Sequence, residues 1–209
     1  MKTNVLKRPI FVLALVLVLI VGMLGVLDAG WLRPVYTTPE DALTVWPGYL
    51  TPHSGYLPDS VEILRRQPFG RGEILFYRWQ TPGCTADGSF HLAATYVERV
   101  FSLRGGWGWR AQGSFQHLPE VDQGRCPIRP DGFVAGSIGR SVGRERFTTV
   151  SGYGGRGRAV RVAWEDGRVD ESPLPASGVF FFSRAGAHAV QRVELLDAAG
   201  RVLETTYPW

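Results

Sequence analysis

The sequence is poor in the residues that mark several functional classes. It has two cysteines, two methionines and four histidines, and no lysine after Lys7. Cys84 and Cys126 form no C-x-x-C pair, which removes the short motif of dithiol redox proteins. His53, His91, His117 and His188 show no H-x-x-x-H spacing, so no compact metal signature is present. Nor does one sign of charge dominate. From residue 31 onward 20 arginines face 18 acids, and much of the net +4 sits at Lys2, Lys7 and Arg8. So balanced a body lacks the basic surface of a nucleic-acid binder, and no nucleic-acid partner is expected. No repeat of fixed period is found. The scarcity of methionine beside 26 glycines, 14 prolines and 12% aromatics suits short strands and many turns better than long helices.

What is abundant at the start is apolar surface. Ile10 to Leu27 is 18 residues without a charge. At 1.5 Å per residue this makes about 27 Å of helix, near the minimum for a bilayer core. The preceding positive charges place residues 1–9 in the cytosol and the rest outside. A cleaved signal peptide, releasing a secreted body, is the alternative, although its apolar core is ordinarily shorter and "LDAG" is a poor cleavage pattern. Both readings make the body extracytoplasmic. Trp31 and Tyr36 lie just past the run, where amphipathic rings favour the interface.

The membrane-proximal segment 28–58 holds one expected short helix, 39–46. Thr38 can cap it, Pro39 suits its first position, and Glu40 and Asp41 favour its positive end. In 59–128 the runs 61–67, 73–80, 90–101 and 106–115 read as strands of a meander, with a helix as the alternative for 90–101. This gives an α+β first lobe. In 129–209, "GFVAGSIG", "RFTTVSGY", "RAVRVAWE", "GVFFFSR", "AVQRVELLD" and "RVLETTY" are short runs divided by turn residues, the pattern of an antiparallel β-sandwich-like lobe. Asp166-Gly167 and Gly200 mark two hairpins. The expected fold is thus a single transmembrane helix succeeded by a mainly-β extracytoplasmic region.

Gly152, Gly154 and Gly157 match the G-x-G-x-x-G spacing of a dinucleotide loop. That loop requires a helix opening at its last glycine. The residues after Gly157 are instead "RAVRVAWE", with Val160, Val162 and Trp164 alternating with Arg161, Ala163 and Glu165, a strand pattern. No cofactor is expected, and the glycines read as turn positions of a hairpin loop. Arg140, Arg144, Arg146, Arg156, Arg158 and Arg161 fall close together in sequence. If the flanking strands pair, these arginines form an anion-binding patch for lipid headgroups, an acidic envelope polymer or an acidic protein partner. The competing reading is a solvated face whose arginines pair with acids such as Glu165 and Asp166.

Outside the cytosol, two isolated cysteines read first as a disulfide, Cys84–Cys126, closing a loop that stabilises the fold by roughly 3–4 kcal/mol. The rival is metal binding with His91 and His117, for which no short ligand pair exists. Trp79, Trp107, Trp109 and Trp164 lie at alternating positions and are expected in the core rather than on a sugar-binding surface. "GSIG" around Ser137 lacks G-x-S-x-G spacing, and no catalytic residue is nominated. These observations favour a non-enzymatic binding or interaction module at the cell envelope, partnered with the bilayer through 10–27. The alternatives are an envelope hydrolase acting on wall or glycan material, and a structural subunit of a membrane complex.

Overall fold

Side chains that alternate in sequence point to opposite faces of an extended chain, so each apolar stripe here demands a layer to cover it. The computed structural model describes residues 12, 15–23, 34–44, 57–84, 87–114, 126–142 and 145–208. Four strands, β1 (Glu62–Phe69), β2 (Gly72–Trp79), β3 (His91–Ser102) and β4 (Gly106–Ser114), form an antiparallel meander in the order β1-β2-β3-β4. The run 90–101 is therefore a strand, and the helical alternative for it is excluded. The next strands, β5 (Phe133–Val142), β6 (Glu145–Gly154) and β9 (Val179–Ala185), form a three-stranded sheet. A third sheet has the order β11-β10-β7-β8, from β7 (Ala159–Trp164), β8 (Val169–Pro173), β10 (Val190–Leu196) and β11 (Val202–Thr206). All pairings are antiparallel.

The three sheets are stacked, and the three-stranded one is in the middle. On one face Val134, Phe147, Tyr153, Val179 and Phe181 pack with Phe69, Ile74, Phe76 and Tyr96 of the meander. On the other, Phe133, Ala135, Val150, Phe180 and Phe182 pack with Val160, Val162, Trp164, Val193 and Leu195 of the third sheet. The run "VFFF" of β9 therefore serves two cores by turns, which is why it shows no polar face. Burying each large side chain such as Phe76 or Phe180 contributes about 1.5–3 kcal/mol. The meander's far face is covered by the helix Pro39–Thr44, whose Ala42 and Leu43 join Leu75, Tyr77, Val97 and Ala111. Thr38 caps that helix as expected, accepting the Asp41 N–H at 3.1 Å. Glu40 forms an ion pair with Arg66 of β1. The remainder of the expected helix, residues 45 and 46, lies outside the described residues.

Both expected hairpins are present. Gly167 and Gly200 sit at φ 81° and 74° in the β7–β8 and β10–β11 turns, a backbone region that glycine enters without strain. Residues 12 and 15–23 are helical, with Leu15 to Val21 and Met23 exposed. Among the described residues no helix is long and apolar enough to cross a membrane. The rest of the expected span 10–27 lies outside them.

The glycine run does not turn a hairpin. Strands β6 and β7 belong to different sheets, so residues 155–158 carry the chain from the middle sheet to the third. None of Gly152, Gly154, Gly155 or Gly157 has a positive φ. Their requirement is proximity. A Cβ at Gly152 would strike the Val134 carbonyl oxygen, and one at Gly155 would strike the Pro130 carbonyl oxygen. A Cβ at Gly154 would lie 2.6 Å from Leu195 Cδ1, and Gly157 is pressed on the same side chain. Backbone hydrogen bonds lock this crossing, from Gly154 N–H to Gly178 O (2.9 Å) and from Gly155 N–H to Gly132 O (3.0 Å). The strand opening at Ala159 removes the dinucleotide-loop geometry, as the alternation expects.

Candidate functional site

Of the six arginines singled out from the sequence, those described on β6, on β7 and between them are not brought side by side by strand pairing, because β6 and β7 lie in different sheets. Arg146 is at the start of β6 and Arg156 lies just past its end. At about 3.3 Å per residue, the length of β6 separates them by roughly 30 Å. Arg156 is bonded to Glu204 at 2.9 Å, and Arg161 to Glu171 at 2.9 Å and Glu194 at 3.3 Å. These pairs lie across neighbouring strands or on the crossing, so their charge is largely neutralised. Arg158 is exposed on the crossing, its N–H donating to Leu196 O. Arg140 is opposite Phe147 in the β5–β6 register. Arg144 lies outside the described residues.

Arg146 lines a cleft. This open cleft of about 640 Å³ is formed at one end of the middle and third sheets. Strand β5 supplies Ser137 to Gly139, β6 supplies Arg146 and Thr148, the turn after β7 supplies Glu165, and 187–190 supplies His188. Among the described residues Arg146 has no acidic partner within ion-pair distance. The loop carrying His188 is pinned rigidly. Its N–H donates to Thr148 Oγ1 at 2.8 Å, and His188 Nε2–H donates to Ala185 O at 2.7 Å. Gly186, at φ 97°, makes the bend between them. The sequence points to the arginine but not to these neighbours, since their convergence depends on β9 and β10 lying in different sheets.

The Glu165 wall is held from behind. Arg184 of β9 makes two hydrogen bonds to Asp166 (2.7 and 3.2 Å) and stacks 5.3 Å from the Trp164 ring centroid. The Trp164 indole N–H donates to Asp170 at 2.7 Å. The Arg184 hydrogen bonds, and after them the Arg168 backbone N–H, hold the Asp166 carboxyl at about 2, below its ordinary 3.8. A depressed folded-state pKa stabilises the fold above the unfolded value and is lost as pH falls through the folded one. Asp166→Asn is therefore expected to lower the melting temperature at neutral pH. The gap from wild type should close between pH 3.8 and about 2. A gap that does not change across that window would show that the pair contributes nothing.

Cys84 and Cys126 form the expected disulfide, with Cα atoms 5.4 Å apart. Both thiols are consumed, so the rival metal reading loses its thiolate ligands in this state. His91 lies beside the bridge, its ring stacked on Trp79 at 5.1 Å, and burial lowers its pKa. The other candidate ligand, His117, lies outside the described residues.

The expectation for the tryptophans holds in part. Trp164 is fully buried, and Trp79 and Trp109 are half-buried against the core under the short helix. Trp107 is not in the core. It is 67% exposed at the tip of the β3–β4 hairpin, near the exposed Phe101 and Leu103. No protein-family model, curated protein or solved structure matches this chain.

Proposed function

We propose that this chain is a single-pass, membrane-anchored extracytoplasmic protein whose β-body is a non-enzymatic module that binds an anionic group of an envelope polymer. The anchor reading is supported by the uninterrupted apolar sequence from Ile10 to Leu27. It is also supported by the exposure of every described side chain of 15–23, which water would disfavour and lipid would accept. The disulfide agrees with an oxidising compartment.

The observation that carries the binding reading is Arg146. It lines a cleft without an acidic partner among the described residues, while Arg156 and Arg161 are already paired. A guanidinium takes carboxylate or phosphate through two parallel hydrogen bonds. The alternative, an envelope hydrolase, needs a proton acceptor in the cleft. Glu165 and His188 both line the cleft, and with Nε2–H given to the Ala185 carbonyl the His188 ring keeps Nδ1 as an acceptor. Binding is preferred on Arg146, the cleft's cation without an acidic partner among the described residues.

Retention on a phosphodiester-bearing or carboxylate-bearing wall polymer tests it, with a neutral glycan as control. Hydrogen bonds to a charged group are worth about 1.5–3 kcal/mol, so Arg146→Gln is expected to weaken retention about tenfold or more. The combined change of Arg156, Arg158 and Arg161 to Gln should leave it within about twofold, since tenfold corresponds to about 1.4 kcal/mol. The reverse pattern, or equal retention of both variants, would reject the cleft.

A further inference from the structure

The tip of the β3–β4 hairpin gathers three large exposed apolar side chains. Phe101 is 47%, Leu103 57% and Trp107 67% exposed. Phe101 and Trp107 are register partners and meet edge to face at 5.7 Å, so they form one ridge rather than scattered side chains. Such a ridge is unfavourable in water unless something covers it. Arg99 and Arg104 flank it, both exposed, and neither has an acidic partner among the described residues. Aromatic and aliphatic tips framed by arginines are the composition of a bilayer interface, where rings sit at headgroup depth and guanidiniums meet phosphates.

The course of the chain says what covers this ridge. Val35 and Tyr36 lie against the same hairpin. Tyr36 N–H donates to Trp109 O at 2.9 Å and Trp109 N–H donates to Tyr36 O at 2.8 Å. Val35 packs so tightly on the hairpin that a Cβ at Gly108 would lie 2.8 Å from its Cβ. Val35 is only eight chain positions after Leu27, the end of the apolar run. Fully extended, those eight steps reach at most about 29 Å. The strand edge next to the ridge is thus tethered within that distance of the point where an anchor would leave the lipid.

We infer that the hairpin tip, with Phe101, Leu103 and Trp107, inserts into the interface of the same bilayer that holds the anchor, and so fixes how the β-body stands on the membrane. This rests on the anchor proposed above. Two attachments, one flexible and one rigid, limit tilt in a way that a single tether does not, and the second is nearly intramolecular once the first is made.

The full-length chain in nanodiscs of mixed phosphatidylcholine and phosphatidylglycerol tests this. Subtracting the emission of Trp107→Phe from wild type isolates the Trp107 signal. That signal is expected to be blue-shifted, lost when the lipids are brominated on the acyl chain, and unaffected by aqueous iodide. Leu103→Glu, an exposed change that leaves the core alone, is expected to abolish the lipid quenching. A Trp107 signal quenched by iodide and not by brominated lipid, in chains that remain in the discs, would overturn the inference and spare the anchor. A blue-shifted signal untouched by either quencher, in discs holding two copies, would mean that a second chain covers the ridge, and would also overturn it. Chains that fail to stay with the discs would remove the anchor, and this inference with it.

Discussion

Gly155→Val is expected to abolish the folded state or to destabilise it by more than about 3 kcal/mol, beyond the ordinary cost of overpacking. The reason lies in what surrounds that position. A Cβ there would collide with the carbonyl oxygen of Pro130, with its carbonyl carbon 2.8 Å away and Asp131 Cα at 3.1 Å. These are backbone atoms, and Gly155 N–H is itself hydrogen-bonded to Gly132 O across the same gap. Neither chain can retreat without breaking the passage from the middle sheet to the third. Gly139→Ala is the control, since nothing lies within 4 Å of a Cβ there and its φ is ordinary. It should shift stability by less than about 0.5 kcal/mol, the usual range for surface changes. Urea titration of both variants checks the pair. Equal midpoints would mean that the glycine run is dispensable and that the close approach is not needed. Gly157 makes a softer case, because its neighbour is the flexible end of Leu195.

Cys84→Ala with Cys126→Ala is expected to cost about 3–4 kcal/mol, by the entropy of a loop closed across 42 positions. A protein of ordinary stability has about 5–15 kcal/mol in total, so this is a large share of it. The effect should extend beyond the bridge. Two residues after Cys126, Ile128 exchanges backbone hydrogen bonds with Phe90 at 2.8 and 3.2 Å and is buried. Two residues further, Pro130 O accepts the Tyr153 hydroxyl at 2.9 Å. Freeing Cys126 lets this whole segment leave the core between meander and middle sheet. The melting temperature should fall by roughly 10 °C. A reducing agent should lower wild type to the same value and leave the double variant unchanged. Equal melting temperatures under oxidising conditions would contradict the role given to the bridge.

Much of the strand content is legible in the sequence because alternation is a local property. The runs 61–67, 73–80, 90–101 and 106–115 correspond to β1 to β4 with ends moved by one or two residues. Strand β8 escapes that pattern, for "VDESP" is acidic, ends in proline and is mostly exposed, as suits the edge of its sheet. What alternation does not carry is partnership. Nothing in "SGYGGRGRAV" shows that β6 pairs with β9 rather than with β7, so the same glycines read as a hairpin loop. The atoms that demand them belong to Pro130, Val134 and Leu195, distant in sequence. Trp107 and Trp109 share one alternation, yet the short helix and residues 35–36 cover only the second. The cleft is invisible for the same reason, since Arg146, Glu165 and His188 come together only through sheet order.

The middle sheet takes its last strand from Val179–Ala185, after the β7–β8 hairpin has intervened. As the chain is made from its N-terminus, the meander finishes more than sixty residues before Phe181 arrives to meet Phe69 and Phe76. During that interval a broad oily flank stands open in a nascent polypeptide. Its biogenesis therefore carries a window of aggregation risk, and a holding chaperone acting on the half-made product would shorten it.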